Sequence, residues 1–197
     1  MKKHKQFLAL LICLVMSVSL FAGCGKKENT QEPKQSTEQT ENKEVAETRE
    51  ITDMAGRKVT VPAAEKIESV FSSSPVSAIF LYMVAPDKLL GWNYELNDIE
   101  KSIILEKYHD LPNFGMGDAI NYEAVIAANP TIAVNCGKIN DAMISDCDAL
   151  SESLGIPVVA VDNELKNSAE AFRFMGELLG VEDHAEELAA YAEKTFK

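Results

Sequence analysis

Histidine is scarce in this sequence, which contains three histidines in 197 residues. One of them, His4, lies in the N-terminal segment, so the rest of the chain has only His109 and His184. Sites that capture bare transition-metal ions use several histidines together with carboxylates or thiolates. The sequence therefore predicts no metal site.

The sequence also lacks the short motifs that carry common enzyme chemistry. It contains no Gly-x-Ser-x-Gly turn, no phosphate-binding Gly-x-x-x-x-Gly-Lys-Ser/Thr loop and no His-Glu-x-x-His helix. Gly115 and Gly117 lack the third glycine and the preceding strand of a dinucleotide-binding turn. We predict that the chain is not an enzyme, has no catalytic residues and uses no cofactor.

Basic residues are few, with 19 Lys and Arg against 31 Asp and Glu and a net charge of −12. Residues 1–23 hold three lysines and no acidic residue, so the net charge of the remainder is −15. A chain of this charge is repelled by nucleic acids and by anionic lipid surfaces. The sequence therefore predicts no nucleic-acid partner.

Long hydrophobic runs are also absent, because the longest, Phe7–Phe21, is shorter than the roughly 20 residues of a membrane-spanning helix. Lysines precede this run and Ala22, Gly23 and Cys24 follow it, which is typical of a secretory signal peptide. Its end resembles a bacterial lipobox, in which the cysteine is lipidated, although Phe21 stands where leucine is usual. We predict a lipoprotein signal peptide over residues 1–23 and lipid attachment at Cys24. The alternative is a non-lipidated signal peptide with an incidental cysteine.

Residues 24–49 are mostly Lys, Glu, Gln, Thr, Asn and Ser, and they contain no aromatic residue. Such a segment buries too little apolar surface to offset the entropy of ordering it, so we predict a disordered tether. About 25 flexible residues span roughly 25–30 Å. Two acyl chains give stable membrane anchoring. We therefore predict a membrane-anchored protein on the extracellular face of a Gram-positive cell, or on the periplasmic side of a Gram-negative membrane.

The four cysteines do not imply two disulfides. Cys13 is removed with the predicted signal peptide and Cys24 is acylated, which leaves Cys136 and Cys147. The spacing of Met143, Cys147, Leu150 and Leu154 places Cys147 on the buried stripe of a helix. The two remaining cysteines are therefore either bridged or free, half-buried thiols.

Residues 50–165 alternate short apolar strands with helices, which predicts an α/β fold with a Rossmann-like parallel sheet and helices on both faces. The predicted hairpin strands begin at Ile51 and Lys58. The predicted sheet strands are Ile67–Phe71, Lys88–Trp92, Thr131–Asn135 and Pro157–Val161. The predicted helices are Pro75 to about Val84 after Ser74, about ten residues after Asn97, Tyr122–Ala128 after Asn121, and one that begins near Asn140 and ends at Gly155. In the second of these, Ile99, Ile103 and Ile104 are expected to face inward.

Residues 166–197 are predicted to be helical. One helix begins near Asn167 and is interrupted at Gly180, and a second runs over Val181–Lys197 for roughly 25 Å. The second helix has an apolar face, with the residues Ala185, Leu188, Ala189, Ala192 and Phe196. The sequence has no helix-stop signal at its end, which predicts that the chain continues beyond Lys197 in the natural protein.

Several stretches in this order resemble one known family, the substrate-binding lipoproteins of ABC importers for iron complexes, haem and cobalamin. The similar stretches are Ile51–Arg57, Val70–Pro75, Pro86–Gly91, Asn121–Pro130 and Leu154–Val159. The resemblance implies two α/β lobes joined by a long helix, with the ligand held between them. It also implies that this chain supplies the N-terminal ligand-binding lobe over residues 50–165 and the start of the interlobe helix over residues 166–197. The second lobe is absent from this sequence.

Ligands of open α/β sheets bind outside the carboxyl ends of the strands. The loops at these ends supply the candidate ligand-binding residues Ser73, Ser74, Trp92, Asn93, Tyr94, Met116 and Lys138. The rings of Trp92 and Tyr94 offer flat apolar surface. The serine hydroxyls and the nearby amide N–H groups donate hydrogen bonds to ligand oxygens, and Lys138 is the only cation in these loops. The alternative for Trp92 is packing over the end of the sheet, and for Ser74 it is helix capping alone.

Glu123 occupies a position at which, in the resembled family, a glutamate docks on arginines of the permease. An ordinary first-turn glutamate, favoured by the helix dipole, is the alternative. The resemblance thus implies an ABC permease and its ATPase as partners, and a monomer that carries a small-molecule ligand.

No arginine lies in the predicted ligand loops, and arginine is the usual bidentate partner of carboxylate-rich ligands. This lobe is therefore expected to suit a weakly charged ferric siderophore, haem or a corrinoid such as cobalamin, unless the missing lobe carries the arginines. The alternative function is a surface-tethered protein-interaction or adhesion domain without a small-molecule ligand.

Overall fold

The structure is a computed structural model that describes residues 47–196. The predicted signal peptide, Cys24 and most of the predicted tether lie outside these residues. The strands are β1 (Thr48–Thr52), β2 (Lys58–Pro62), β3 (Val70–Ser72), β4 (Ile132–Gly137) and β5 (Val158–Asp162). The helices are α1 (Pro75–Val84), α2 (Asp98–Ile103), α3 (Tyr122–Ala127), α4 (Asp141–Leu154), α5 (Ser168–Leu179) and α6 (Glu182–Thr195). None of these helices combines the length and the hydrophobicity that crossing a bilayer requires.

The centre of the fold is a three-stranded parallel sheet in the order β3-β4-β5. Successive side chains of a strand point to opposite faces, so each strand contributes to two cores. Val70, Ile132 and Val159 pack in the core that contains residues of α1, α5 and α6. Phe71, Ala133 and Val158 pack in the core that contains residues of α3 and α4. The predicted α/β class with helices on both faces is therefore confirmed.

Local capping signals determine where several helices begin and end. The Ser74 hydroxyl accepts a hydrogen bond from the Ser77 N–H at the start of α1, where Pro75 is the first helical residue. The side chains of Asn121 and Asn140 cap α3 and α4 in the same way. Gly155 ends α4 in the left-handed conformation, with φ of 69°. These boundaries agree with the sequence predictions.

The hairpin β1–β2 closes one edge of the sheet. Its turn lies against β5, where the Met54 N–H donates to the Ala160 carbonyl and the Asp53 carboxylate accepts from the Ala160 N–H. Arg57 donates to Asp53 Oδ2 through Nε and Nη2, and Nη2 also donates to the Val158 carbonyl. The outer backbone groups of β5 are thus satisfied by the turn.

Strand β1 begins at Thr48, three residues before the expected start of the hairpin. Arg49 therefore belongs to the folded part, where its Nη2 donates to the carbonyls of Glu177 and Leu178 at the end of α5. A cation at a helix C-terminus is favourable because it meets unpaired carbonyls and the negative end of the helix dipole. The composition of residues 24–49 did not reveal this contact.

The second sheet edge is covered by the segment predicted as the strand Lys88–Trp92. This prediction is wrong in detail, because the segment forms only two isolated bridges, between Leu89 and Val70 and between Trp92 and Asn113. The Leu90 N–H donates to the Val70 carbonyl. The start of the segment pairs with β3 through a single bridge. Its end turns away from β3 and pairs with residues 112–114.

Helix α2 has six residues rather than the ten predicted. Ile99 and Ile103 are 74% and 76% exposed, so the prediction that they face inward is also wrong, whereas Ile104 is buried. The capping box of Asn97 and Glu100 was strong enough to start the helix. Its apolar spacing, however, did not identify the face that meets the core.

The helices α5 and α6 form an antiparallel hairpin around Gly180, which has φ of 70°. Gly176 lies against Ala185, and Arg173 forms ion pairs with Glu186 and Glu193 along the pair. Ala185, Ala189 and Ala192 are buried as predicted, but Phe196 is about half exposed. The C-terminal helix thus returns along α5 towards residue 165.

Candidate functional site

The carboxyl ends of β3, β4 and β5 meet at one edge of the sheet, where Ser73, Lys138 and Asn163 immediately follow the strands. The segment after Trp92 and the loop that begins at Asn113 reach the same edge, because Trp92 and Asn113 pair with each other. The structure therefore brings together the loops that were predicted to bind ligand.

The serines after β3 form a polar cluster with the first turn of α1. The Ser73 hydroxyl donates to Asn135 Oδ1 at 2.8 Å, and the Ser74 and Ser77 hydroxyl oxygens are 2.9 Å apart. The buried Ser77 hydroxyl also accepts from the Cys136 N–H. Ser73 and Ser74 are half-buried, so each residue keeps part of its surface exposed at this edge.

Trp92 is a core residue, which corrects its prediction as a ligand-binding surface. Its side chain is 1% exposed, its ring lies 5.7 Å from that of Tyr82, and its indole N–H donates to the Tyr108 carbonyl. A tryptophan that satisfies its only donor inside the fold is held away from the edge. The packing alternative considered for this residue is the correct one.

Asn93 is also buried, at 2% exposure, and its side chain is used within the protein. Its Nδ2 donates to the carbonyls of Ser72 and Gly115 at 3.0 and 3.1 Å, and its Oδ1 accepts from the Ser72 hydroxyl at 3.1 Å. The prediction that Asn93 contacts ligand is therefore corrected, because no side-chain donor remains for a ligand.

Tyr94, Met116 and Lys138 lie on the accessible surface. Tyr94 is half-buried, and its hydroxyl donates to Glu100 Oε1 at 2.9 Å. Partial burial, together with this hydrogen bond, raises the pKa of Tyr94 above that of free tyrosine. Met116 is 53% exposed, and Lys138 is exposed directly after β4.

An apolar groove of about 340 Å³ begins at this edge and runs along α1. Its first residue, Pro75, directly follows Ser74, and Tyr94 forms part of its wall. The remaining lining residues are Val76, Ile79, Phe80 and Met83. The edge therefore presents apolar surface beside the serine cluster.

Glu123 lies in the first turn of α3 and is exposed. Helix α3 precedes β4, so its start lies towards the carboxyl edge of the parallel sheet, and the Asn121 N–H donates to the Phe114 carbonyl. The position of Glu123 is compatible with both predicted roles, docking and favourable contact with the helix dipole.

Asn135 and Ser77 are part of this edge but were missed by sequence reasoning. Asn135 could have been found because it is a polar residue in the apolar strand Ile132–Gly137. Ser77 could have been found because it is a second serine, three residues after the helix cap Ser74. Within residues 47–196, no cluster of three or more His, Cys, Asp or Glu side chains could hold a metal ion.

Solved structures that resemble this chain include a solute-binding protein of an ABC transporter and a periplasmic binding protein. One, an ABC transporter solute binding protein from Sulfurospirillum deleyianum, matches with a TM-score of 0.63 and 23% identity over 74% of this chain and 46% of its own. SirA of Staphylococcus aureus, solved with staphyloferrin B, matches with a TM-score of 0.54 and 20% identity over 73% and 46%. MolA of Haemophilus influenzae, a periplasmic binding protein bound to molybdate, matches with a TM-score of 0.54 and 19% identity over 75% and 52%.

No protein-family model and no curated protein sequence matches the chain. The chain spans about half the length of each of the three solved structures. These matches confirm the α/β fold that the sequence resemblance implied for this part of the family. Residues 47–196 have the fold of part of an ABC-transporter solute-binding protein.

Proposed function

We propose that this chain is the N-terminal lobe of an extracytoplasmic solute-binding lipoprotein of an ABC importer. It captures a ferric siderophore, haem or a corrinoid and delivers it to the membrane permease, which an ATPase drives. The observation that carries this proposal is the match of about three quarters of the chain to solute-binding proteins. The extracytoplasmic location is supported by the periplasmic binding protein among the similar structures.

The residues exposed at the carboxyl edge favour a weakly charged, partly apolar ligand. Lys138 is the only cation in the loops 72–75, 92–94, 114–116 and 136–138. The groove along α1 and the exposed Met116 add apolar contact area. A ligand with a large apolar surface and one anionic group fits these residues better than a carboxylate-rich chelate does.

Thermal unfolding of the full chain in detergent tests this ligand class. Haemin and cyanocobalamin are the apolar probes, and ferric citrate is the carboxylate-rich comparison. A probe that binds only the folded state raises Tm, by an amount that grows with its concentration relative to Kd. We expect a rise with at least one apolar probe and none with ferric citrate.

Two lysine variants sharpen this test. Lys138→Gln should reduce the Tm shift that haemin causes, because haemin carries carboxylates, whereas the exposed Lys166→Gln should leave the shift unchanged. The absence of a Tm shift with every probe would count against small-molecule binding by this chain.

We propose further that Glu123 contacts the permease. It is exposed at the start of α3, and its carboxylate has no hydrogen-bond or ion-pair partner among residues 47–196. Glu123→Gln should lower the uptake of a radiolabelled probe by cells several-fold. The affinity of the probe for the purified variant should equal its affinity for the unmodified protein. Glu152→Gln, at an exposed position on α4, is the matched control. Equal uptake by both variants would contradict the docking role.

A further inference from the structure

We infer that Asn93 is a positioning residue that holds two ligand-side loops and the start of α3 in a fixed arrangement. This inference rests on the proposed function, which assigns those loops to ligand binding. Asn93 connects the end of β3, through Ser72, with the loop that contains Gly115 and Met116. Among the described residues, Asn93 is the side chain that hydrogen-bonds to both Ser72 and this loop.

The side chain of Asn93 matches its three partners in chemical type. Two carbonyl oxygens, of Ser72 and Gly115, face its two N–H donors, and the Ser72 hydroxyl faces its oxygen. A buried amide is tolerated when its polar atoms are paired, and leaving them unpaired is costly. Aspartate has nearly the same shape but would direct a negative oxygen towards the carbonyl oxygens of Ser72 and Gly115. Two attractive hydrogen bonds would thus be replaced by repulsion between oxygens.

The Gly115 loop is held by backbone contacts on both sides of this amide. The Trp92 N–H donates to the Pro112 carbonyl at 2.8 Å, and the Phe114 N–H donates to the Trp92 carbonyl at 2.9 Å. Gly115 has φ of 79°, and a Cβ there would lie 2.2 Å from the Ala119 carbonyl oxygen. The loop is therefore closely packed in one conformation, which the Asn93 hydrogen bond ties to β3.

The same contacts reach the helix that carries Glu123. The Asn121 N–H donates to the Phe114 carbonyl at 2.8 Å, and the Asn121 side chain caps α3. A connected set of hydrogen bonds thus runs from Ser72 through Asn93 and the 113–115 segment to the start of α3. Asn93 acts on ligand binding and docking only through these neighbours.

Hydrogen–deuterium exchange of the full chain in detergent tests this role without any ligand. In Asn93→Asp, peptides from residues 70–77 and 113–121 should exchange at least about tenfold faster than in the unmodified chain, since local openings control exchange. Peptides from α4 and from the α5–α6 hairpin should be unchanged. Asn140→Asp is the matched control, because aspartate can also cap α4 and should leave all four regions unchanged.

Ser72→Ala provides a milder second variant, because it removes only the hydroxyl that donates to Asn93. It should accelerate exchange in the same two regions by a smaller factor, and it carries the test if Asn93→Asp does not fold. Unchanged exchange in residues 113–121, or an equal increase in every region, would overturn the positioning role. Because no ligand is added, this result is independent of whether the proposed transport function is correct.

Discussion

At the scale of single residues, Asp53 is the most heavily bonded buried side chain of the described part. It is 4% exposed and accepts hydrogen bonds from three backbone N–H groups, those of Ala55, Arg57 and Ala160, and from the Arg57 guanidinium. Arg57 also reaches Asp148 on α4. The pair therefore joins the hairpin turn, strand β5 and helix α4.

We expect Asp53→Ala to lower the free energy of unfolding by about 3–5 kcal/mol, because it removes the buried carboxylate that accepts from three backbone N–H groups and from the partly buried Arg57 guanidinium. Urea unfolding followed by circular dichroism measures this loss. Lys58→Ala is the control, because its ion pair with Glu50 is exposed and should be worth no more than about 1 kcal/mol. Similar losses in the two variants would show that the Asp53 contacts are not the main attachment of the hairpin.

The two cysteines of the folded part are free and buried, which decides between the alternatives that the sequence left open. Burial raises the pKa of the Cys136 thiol to about 12 and raises that of Cys147 as well. Thiolates are the reactive form of cysteine. Both side chains should therefore be poor nucleophiles at neutral pH.

Alkylation by iodoacetamide at pH 8, located by peptide mass spectrometry, tests this expectation. In the folded protein Cys136 and Cys147 should react at least about a hundredfold more slowly than in 8 M urea, because access and thiolate fraction both fall on folding. Rapid labelling of Cys136 in the folded protein would contradict its burial.

At the scale of secondary structure elements, the α5–α6 hairpin depends on a close approach at Gly176. A Cβ added there would lie 2.4 Å from the Ala185 Cβ. Buried alanines of α6 continue the contact along α5, while Arg173 pairs with Glu186 and Glu193 on the outside. Small residues thus set the distance between the two helices.

Gly176→Ala should destabilise the protein by about 1–3 kcal/mol through overpacking, even though alanine is the better helix former. The measurement is again the urea midpoint, with Glu177→Ala as the control at an exposed position of the same helix. A stabilised Gly176→Ala variant would mean that the helices can separate at little cost.

Elements with local signals were predictable from the sequence. Ser74 with Pro75, Asn121, and Asn140 with Gly155 are capping signals that act within one turn, and the helices begin and end where they indicate. The face of α2 and the irregular segment 88–92 were not predictable in this way. Their conformations depend on distant contacts, such as that of Leu105 N–H with the Tyr82 hydroxyl.

The place of the candidate loops in the fold was predictable, but the exposure of their side chains was less so. Parallel strands place their following loops at one edge, so Ser73, Ser74, Tyr94, Met116 and Lys138 could be assigned there from the strand pattern. The burial of Trp92 and Asn93 could not be predicted in this way, because their partners Tyr108 and Gly115 are 16 and 22 residues away in the chain.

At the scale of the whole molecule, the proposed function combines a folded lobe with a membrane anchor. We propose that Cys24 carries the lipid and that residues 24–46 connect it to β1. Metabolic labelling with an alkyne palmitate analogue should mark the protein, and Cys24→Ala should abolish the label. Cys147→Ala should keep it, because that cysteine is buried in α4. Labelling that persists in Cys24→Ala would contradict the proposed anchor.

The turn that covers β5 has a consequence for the order in which the chain can fold. The Asp53 carboxylate meets the Ala160 N–H across 107 residues of sequence, so the first hairpin finds its place only after the last strand exists. Contacts between distant parts of a chain are slow to form. We therefore expect the hairpin of a growing chain to stay undocked until residue 162 has been synthesised. A late docking step of this kind would suit the proposed lipoprotein, which would cross a membrane as an extended polypeptide before it folds.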